Sequence, residues 1–321
     1  MSAQVFDLSV AETKMLDLNL LGEPERLSGF LVLAPRPAIV DPGPTRSAEI
    51  WLNALDALNI PRDEVAYIIP THVHLDHGGG TGTLVKELAK AQVIVHPRGA
   101  AHIVDPSRLV QGAQGVFDGK VEEYFGLPEP VAEERVTAVD PDHRLDLGGG
   151  HVLRFIDARG HARHQFMILD EGTGALFAAD EIGMRYPYLS KPGDDYILPT
   201  TAPNQFDPEA MKASNRWVRE IRPELIGFGH FGVNTMDPVL VTERVEEQVD
   251  AFTSLLDKAD TVDHETMKRL LLDHVRADLE SRGLPWDDQV EAIMNYDQNL
   301  NGLGLVFYWQ YLQKQKEQQG S

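Results

Sequence analysis

Four side chains able to bind a metal ion, His72, His74, Asp76 and His77, fall within six consecutive positions of the stretch Thr71 to Gly80, which reads THVHLDHGGG. The stretch follows directly on the apolar run from Val65 to Ile69. In an extended or tightly looped segment successive side chains alternate. His72, His74 and Asp76 are therefore expected to point one way, with His77 at the turn swinging toward a neighbouring position. One cluster of this kind can feed two adjacent cations. Imidazole together with carboxylate suits zinc, iron or manganese. With no cysteine in the chain, a thiolate-bound structural zinc site is ruled out.

These residues need a scaffold, and the surrounding pattern supplies one. Phe30 to Leu33, a Pro-Arg-Pro turn and Ala38 to Asp41 read as a hairpin, and so do Phe166 to Leu169, Glu-Gly-Thr-Gly and Ala175 to Asp180. Each second strand runs into an aspartate, which suggests an internal duplication. Ser47 to Leu58 has helical spacing, Val65 to Ile69 reads as a buried strand, Thr83 to Ala89 as a helix and Val93 to Val95 as a strand. Arg144 to Leu147 and His151 to Ile156 form another hairpin across Gly148 to Gly150. Strands alternating with helices indicate α/β layering. From Pro238 onward helices dominate, over Val241 to Lys258, Met267 to Leu279, Trp286 to Tyr296 and Gly302 to Lys316, so a boundary is placed between residues 1–237 and 238–321.

Three later features complete the constellation. Gly160-His161 follows a strand, Asp180 ends one, and Gly229-His230 follows the apolar Leu225-Ile226. All sit at carboxyl ends of strands, where α/β architectures gather their sites. With these residues the chain resembles the metallo-β-lactamase-fold superfamily, in its hydrolase branch of glyoxalase II and lactonase type, over roughly residues 15 to 235. The resemblance implies a four-layer αβ/βα sandwich of two similar halves, here with a C-terminal helical extension. It further implies that His72, His74 and His161 hold one metal and Asp76, His77 and His230 the second, with Asp180 bridging. Asp41 would hold the ligand loop by hydrogen bonds. The implied cofactor is a pair of divalent ions, zinc first, with manganese and iron as alternatives. A hydroxide held between them would attack a small ester, lactone or thioester, and Asp76 or a metal-bound water would carry the proton.

Other polar residues compete for roles. His164 is a candidate for supporting the site, and His96, at a strand end, for lining the pocket or serving structure. Tyr186 and Tyr188 are candidate donors to a developing oxyanion or packing residues. Arg159 and Arg163 are candidates for a substrate carboxylate or for surface ion pairs. The Gly78 to Gly82 run fails the phosphate-loop spacing, and no Gly-x-Ser-x-Gly elbow occurs. The loops over the metals are expected at Val104 to Val131 and Met184 to Pro203. Leu305, Phe307, Tyr308, Trp309 and Leu312 form an apolar stretch expected to pack on the core, form a homodimer face or cap the pocket.

Composition narrows the partners. The 29 basic against 50 acidic residues give a formal charge of −21, which disfavours nucleic acid and leaves a small-molecule substrate. The N-terminus lacks the basic start and apolar run of a secretory signal, and no apolar stretch approaches the ~20 residues needed to span a bilayer, so a cytoplasmic, membrane-free protein is expected. Two other chemistries suit the same site: phosphodiester or phosphotriester hydrolysis on bridged metals, and a mononuclear iron centre of the persulfide dioxygenase type. Flavodiiron relatives carry glutamate at the position of His74 and add a flavin domain, which sets them apart.

Overall fold

The computed structural model describes residues 4–8, 12–201 and 203–319. The segment read above for a leader lies partly outside the described residues, as do the last two residues of the chain. The strands form two main sheets. The first runs in order β1 (Val5–Asp7), β2 (Thr13–Asp17), β3 (Ser28–Val32), β4 (Ala38–Val40), β5 (Tyr67–Ile69), β6 (Gln92–Val95) and β7 (Val136–Ala138). Its first four strands are antiparallel and its last four parallel, with β4 common to both parts. The second sheet is a meander of β8 (Arg144–Gly148), β9 (His151–Asp157), β10 (Phe166–Asp170) and β11 (Ala175–Ala179). Between its last strands the chain makes the short ribbon of β12 (Met184–Arg185) and β13 (Ile197–Leu198), and then β14 (Leu225–Phe228) joins parallel to β11.

Helices α1 (Ala48–Ala57), α2 (Leu75–Gly78), α3 (Thr81–Glu87), α4 (Pro97–Val104), α5 (Ser107–Val116) and α6 (Val121–Phe125) belong to the first half. Helix α7 (Pro208–Ile221) belongs to the second, and α8 (Pro238–Lys258), α9 (His264–Ser281) and α10 (Asp288–Gln319) end the chain. Strand alternation sorts the apolar side chains into layers. Phe30, Val32, Ala38 and Val40 point into the core between the sheets, where they meet Phe155, Phe166, Ile168 and Phe177. Leu31, Ile39, Ile68 and Val93 point outward onto Trp51, Leu55 and Leu84 of the first helical layer. Met167, Leu176 and Ala178 point outward from the second sheet onto Met211, Val245 and Val249. Helix, sheet, sheet, helix is the four-layer sandwich implied by the resemblance.

The expected hairpins occupy corresponding places, β3–β4 in one sheet and β10–β11 in the other, and Phe30 and Phe177 meet across the middle with ring centroids 4.9 Å apart. Each hairpin ends in strained backbone: Asp41 has φ 53° and Ala179, just before Asp180, has φ 47°. Such left-handed non-glycine residues are uncommon and concentrate at functional sites.

Several expectations are corrected. The two helices expected over Trp286 to Tyr296 and Gly302 to Lys316 are one continuous helix, α10. Gly302, where the second helix is expected to begin, lies inside α10, and a Cβ there would stand 2.9 Å from the Lys268 backbone nitrogen, so the glycine serves the close crossing of α9 and α10. The span Val104 to Val131, expected as a loop, carries α5 and α6. The motif Thr71 to Gly80 is not extended throughout: Leu75 to Gly78 close one helical turn, so alternation governs only His72 and His74. The change to helices falls at Pro238, yet α8 and α9 share a core with the second sheet. Among the described residues no helix is long and apolar enough to cross a membrane.

Candidate metal centre

Every strand that feeds the site does so from its carboxyl end. Asp41 follows β4, the His72 to His77 motif follows β5, His161 lies in the β9–β10 connection, Asp180 follows β11 and His230 follows β14. The helical turn splits the motif in two. His72 and His74 meet His161, while Asp76 and His77 meet His230, each trio with ligand atoms within 4.8 Å of one another. Nδ1 of His74 lies 3.1 Å from Nε2 of His72 and 2.9 Å from Nε2 of His161. In the second trio, Asp76 Oδ2 lies 3.4 Å from His230 Nε2 and 3.8 Å from His77 Nε2.

Asp180 spans both groups. One oxygen is 3.4 Å from His161 Nε2, and the other is 3.2 Å from His77 Nε2 and 3.7 Å from His230 Nε2. Nitrogen and oxygen ligands at roughly 2.0–2.1 Å around a tetrahedral ion stand about 3.4 Å from one another. The observed separations scatter around that value. His77 Nε2 and Asp180 Oδ1 are moreover buried with no hydrogen-bond partner, a costly arrangement for protein atoms alone and the natural one for ligands of a cation. The donor set therefore fits two metal ions.

The outward nitrogens are held in turn. His72 Nδ1 meets the Thr71 hydroxyl at 3.2 Å, which itself donates to Asp41 Oδ1 at 2.7 Å. His77 Nδ1 meets Asp41 Oδ2 at 3.1 Å, His161 Nδ1 meets the Thr200 hydroxyl at 2.8 Å, and His230 Nδ1 meets the Arg26 carbonyl oxygen at 3.1 Å. Bonds of this kind set the tautomer and aim Nε2 inward. Buried Glu181 accepts from the backbone nitrogens of Gly160 and His161 and from the Ser214 hydroxyl, which braces the His161 turn. Gly229 allows a close approach to the ligands: a Cβ there would stand 2.6 Å from the His77 ring and 3.0 Å from Asp180.

Electrostatics follow from burial and charge. Burial holds His72 well below the ordinary imidazole range and His74 at about 3, and it also lowers His161 although Asp180 pulls the other way. Burial opposes charge on His77 too, but Asp180, Asp76 and Asp41 together outweigh it and hold that imidazole well above its usual value. Against the burial that would raise them, Asp76 and Asp180 are held below the carboxylate range, chiefly by His77. His72, His74 and His161 are thus held neutral and Asp76 and Asp180 ionised, the forms that bind cations. At His230, as at His77, Asp180 and Asp76 outweigh burial and favour a proton that a bound cation would have to displace.

The other candidates divide. His164 is buried beside the trio, stacked on His72 with centroids 6.1 Å apart, and it faces the cavity. His96 caps α4, accepting from the Arg98 backbone nitrogen at 3.0 Å, so its role is local structure. Arg159 pairs with Asp157 at a partly exposed site. Neither Arg159 nor Arg163 lines the cavity. Tyr186 and Tyr188 are not among the cavity residues either. The Tyr186 hydroxyl is buried and donates to Asp297 at 3.0 Å, and Tyr188 packs against the core, so neither is placed to serve an oxyanion at the cluster.

Four contributors carry no motif and were missed in the sequence: Thr200, Glu181, Asp297 and Asn301. Asp297 holds Arg26 through two bonds, of 2.7 and 3.1 Å, and Asn301 accepts from the Thr201 backbone nitrogen at 2.7 Å. The two are four positions apart on α10, so one helix face reaches the supports of both His230 and His161. The cluster opens into a cavity of about 560 Å³, which α5 and α10 also line.

Comparison with known proteins agrees with this geometry. The model of the metallo-beta-lactamase superfamily matches residues 34–230. The metallo-beta-lactamase fold-containing protein ST1585 of Sulfurisphaera tokodaii is 27% identical over 190 residues, 58% of this chain and 67% of its own length. A chain named diflavin flavoprotein A 1 from Thermosynechococcus vestitus is 31% identical over 173 residues, which span 51% of this chain but only 26% of that protein. Among solved structures, that of ST1585 superposes with a TM-score of 0.63 at 22% identity, covering 88% of this chain and 93% of the other. That of TTHA1429 from Thermus thermophilus gives 0.61 at 16% identity, covering 96% and 92%. The match spans every proposed ligand from His72 to His230, and on this ground the chain belongs to the metallo-beta-lactamase superfamily.

Proposed function

We propose that the chain is a metal-dependent hydrolase of the superfamily's glyoxalase II and lactonase-like branch, acting on a small ester, lactone or thioester with two divalent ions, zinc foremost. The observation that carries this reading is the pair of ligand trios joined by Asp180 at the floor of an open cavity. His72, His74 and His161 would hold one ion and Asp76, His77 and His230 the other, with Asp180 between them. When bound, such ions supply Lewis acidity toward a carbonyl oxygen and bring the pKa of water toward neutrality. Asp76, whose carboxylate lies at the cavity surface, or a water at the centre would pass the proton to the leaving group. Thr200, Asp41 and the Arg26 carbonyl keep the imidazoles aimed while substrate binds. Residues 1–237 would form the catalytic domain, and the helical extension 238–321 would close the cavity wall through α10.

The test is a metal analysis of protein purified without chelator, followed by a panel of nitrophenyl esters, lactones, thioesters and phosphodiesters. Two ions per chain and turnover of carbonyl substrates are expected. Fewer than one transition ion per chain would end the metal reading, and turnover confined to phosphorus compounds would move the reaction to phosphoryl transfer.

A second reading is oxygen chemistry on iron. It is favoured by the similarity to the diflavin flavoprotein and by the fold shared with the chemotaxis sensor ODP, whose structure is described as a peroxy diiron species (TM-score 0.51, 16% identity, 77% of this chain and 94% of that one). Iron-loaded protein that consumes oxygen and leaves the ester panel untouched would establish it in place of hydrolysis.

A further inference from the structure

Helix α5 has an apolar face but no buried residue. Its Leu109, Ala113 and Val116 fall on one stripe at helical spacing, and all three line the cavity above the metal ligands. Leu300, Leu303 and Phe307 form a matching stripe on α10, and they line the same cavity. Of the charged groups in this wall away from the metal ligands, Arg26 and Asp297 satisfy each other through two hydrogen bonds, and Arg108 of α5 is exposed to solvent at the rim. The result is a chamber with polar metal ligands at its floor and two apolar helix faces as its sides.

From this we infer that the substrate carries an uncharged apolar chain, held between α5 and α10 while its carbonyl group meets the metal centre. The inference rests on the hydrolase reading for the identity of that carbonyl group and on the chamber alone for the chain. A cavity of about 560 Å³ is within the size range of sites for whole small molecules, larger than an acetyl group needs. Burying each methylene on these walls should tighten binding about fourfold, the equivalent of roughly 0.8 kcal/mol. Gly112 and Gly115 lie on the lining of α5, and a Cβ built at either meets no atom within 4 Å. Both positions are exposed on the rim of the lining, so a larger side chain there meets open space and narrows the chamber without disturbing the fold.

The experiment uses zinc-loaded full-length protein and straight-chain hydroxamates from acetyl through hexanoyl to decanoyl, whose head group binds metal and is not hydrolysed. Calorimetry should give a Kd that falls about fourfold per added methylene until the chamber is full. Gly112→Leu and, independently, Gly115→Leu should each lower the ratio of decanoyl to acetyl affinity by roughly tenfold or more, as room for two or more methylenes is lost. A Kd indifferent to chain length overturns the inference, and so does a pair of variants that change acetyl and decanoyl binding by the same factor. Failure of the hydrolase reading has a different signature: the same protein would turn over no ester, lactone or thioester of any length while the hydroxamate series kept its slope.

Discussion

Replacing Asp297 by asparagine should cost about 3 kcal/mol of stability and loosen one metal ligand at a distance. The side chains of Arg26 and Asp297 are 11% and 5% exposed, and their pairing is bidentate. Removing one charge from a buried pair costs roughly 3–5 kcal/mol, because the other is left unpaired away from water. The lower end applies here, since the asparagine oxygen can still accept from one guanidinium nitrogen and the cavity borders the pair. Against a total stability of roughly 5–15 kcal/mol the loss is large, and it should appear as a lower urea midpoint with an unchanged slope. The double variant Arg26→Met with Asp297→Leu replaces the pair by apolar groups. It should recover most of the loss, apart from about 1 kcal/mol for the orphaned Tyr186 hydroxyl. Because the Arg26 carbonyl bonds His230 Nδ1, Asp297→Asn should also weaken metal binding at the Asp76, His77 and His230 trio of the proposed centre by roughly ten- to a hundredfold in a chelator competition. A single variant within about 1 kcal/mol of the parent, or a double variant no more stable than the single, would refute the assignment of a desolvated, mutually dependent pair.

Asp41→Ala removes the acceptor shared by the Thr71 backbone, the Thr71 hydroxyl and His77, and metal affinity should fall roughly ten- to a hundredfold in the same competition assay. Gly302→Val presses a side chain against the α9 backbone at Lys268, and a loss of about 1–3 kcal/mol in thermal or urea unfolding is expected from overpacking. His274 is lowered below the usual imidazole value, by burial first and by Lys258 second, with Asp278 opposing, and its Nε2 meets Gln248 at 2.9 Å. Its contribution to stability is therefore full above the unfolded value near 6.5 and is lost as pH falls through it toward the depressed folded value. His274→Gln should flatten the acid side of the stability profile in that window relative to the parent, and parallel profiles would contradict the sign.

The amino-acid order by itself determined the layers and the ligand types. Unbroken apolar runs such as Phe30 to Val32 and Phe166 to Ile168 mark strands buried on both faces, as the central layers of a sandwich require. His72, His74, Asp76 and His77 declare metal chemistry because their side chains have few other reasons to crowd together. The pairing of distant residues was decided only by the tertiary structure. Whether His74 meets His161, or Asp180 reaches both trios, depends on five strand ends arriving at one edge, a long-range outcome that no local pattern encodes. The same holds for Tyr186, which lies close to Asp180 in sequence yet bonds Asp297 of α10. Glu181, Thr200, Asp297 and Asn301 were invisible in the sequence for the same reason: an isolated polar residue shows its role only once burial removes water and leaves a single partner within reach. The continuity of α10 through Gly302 was likewise settled only in three dimensions, because the need for a glycine there comes from the α9 backbone at Lys268, which the local sequence does not show.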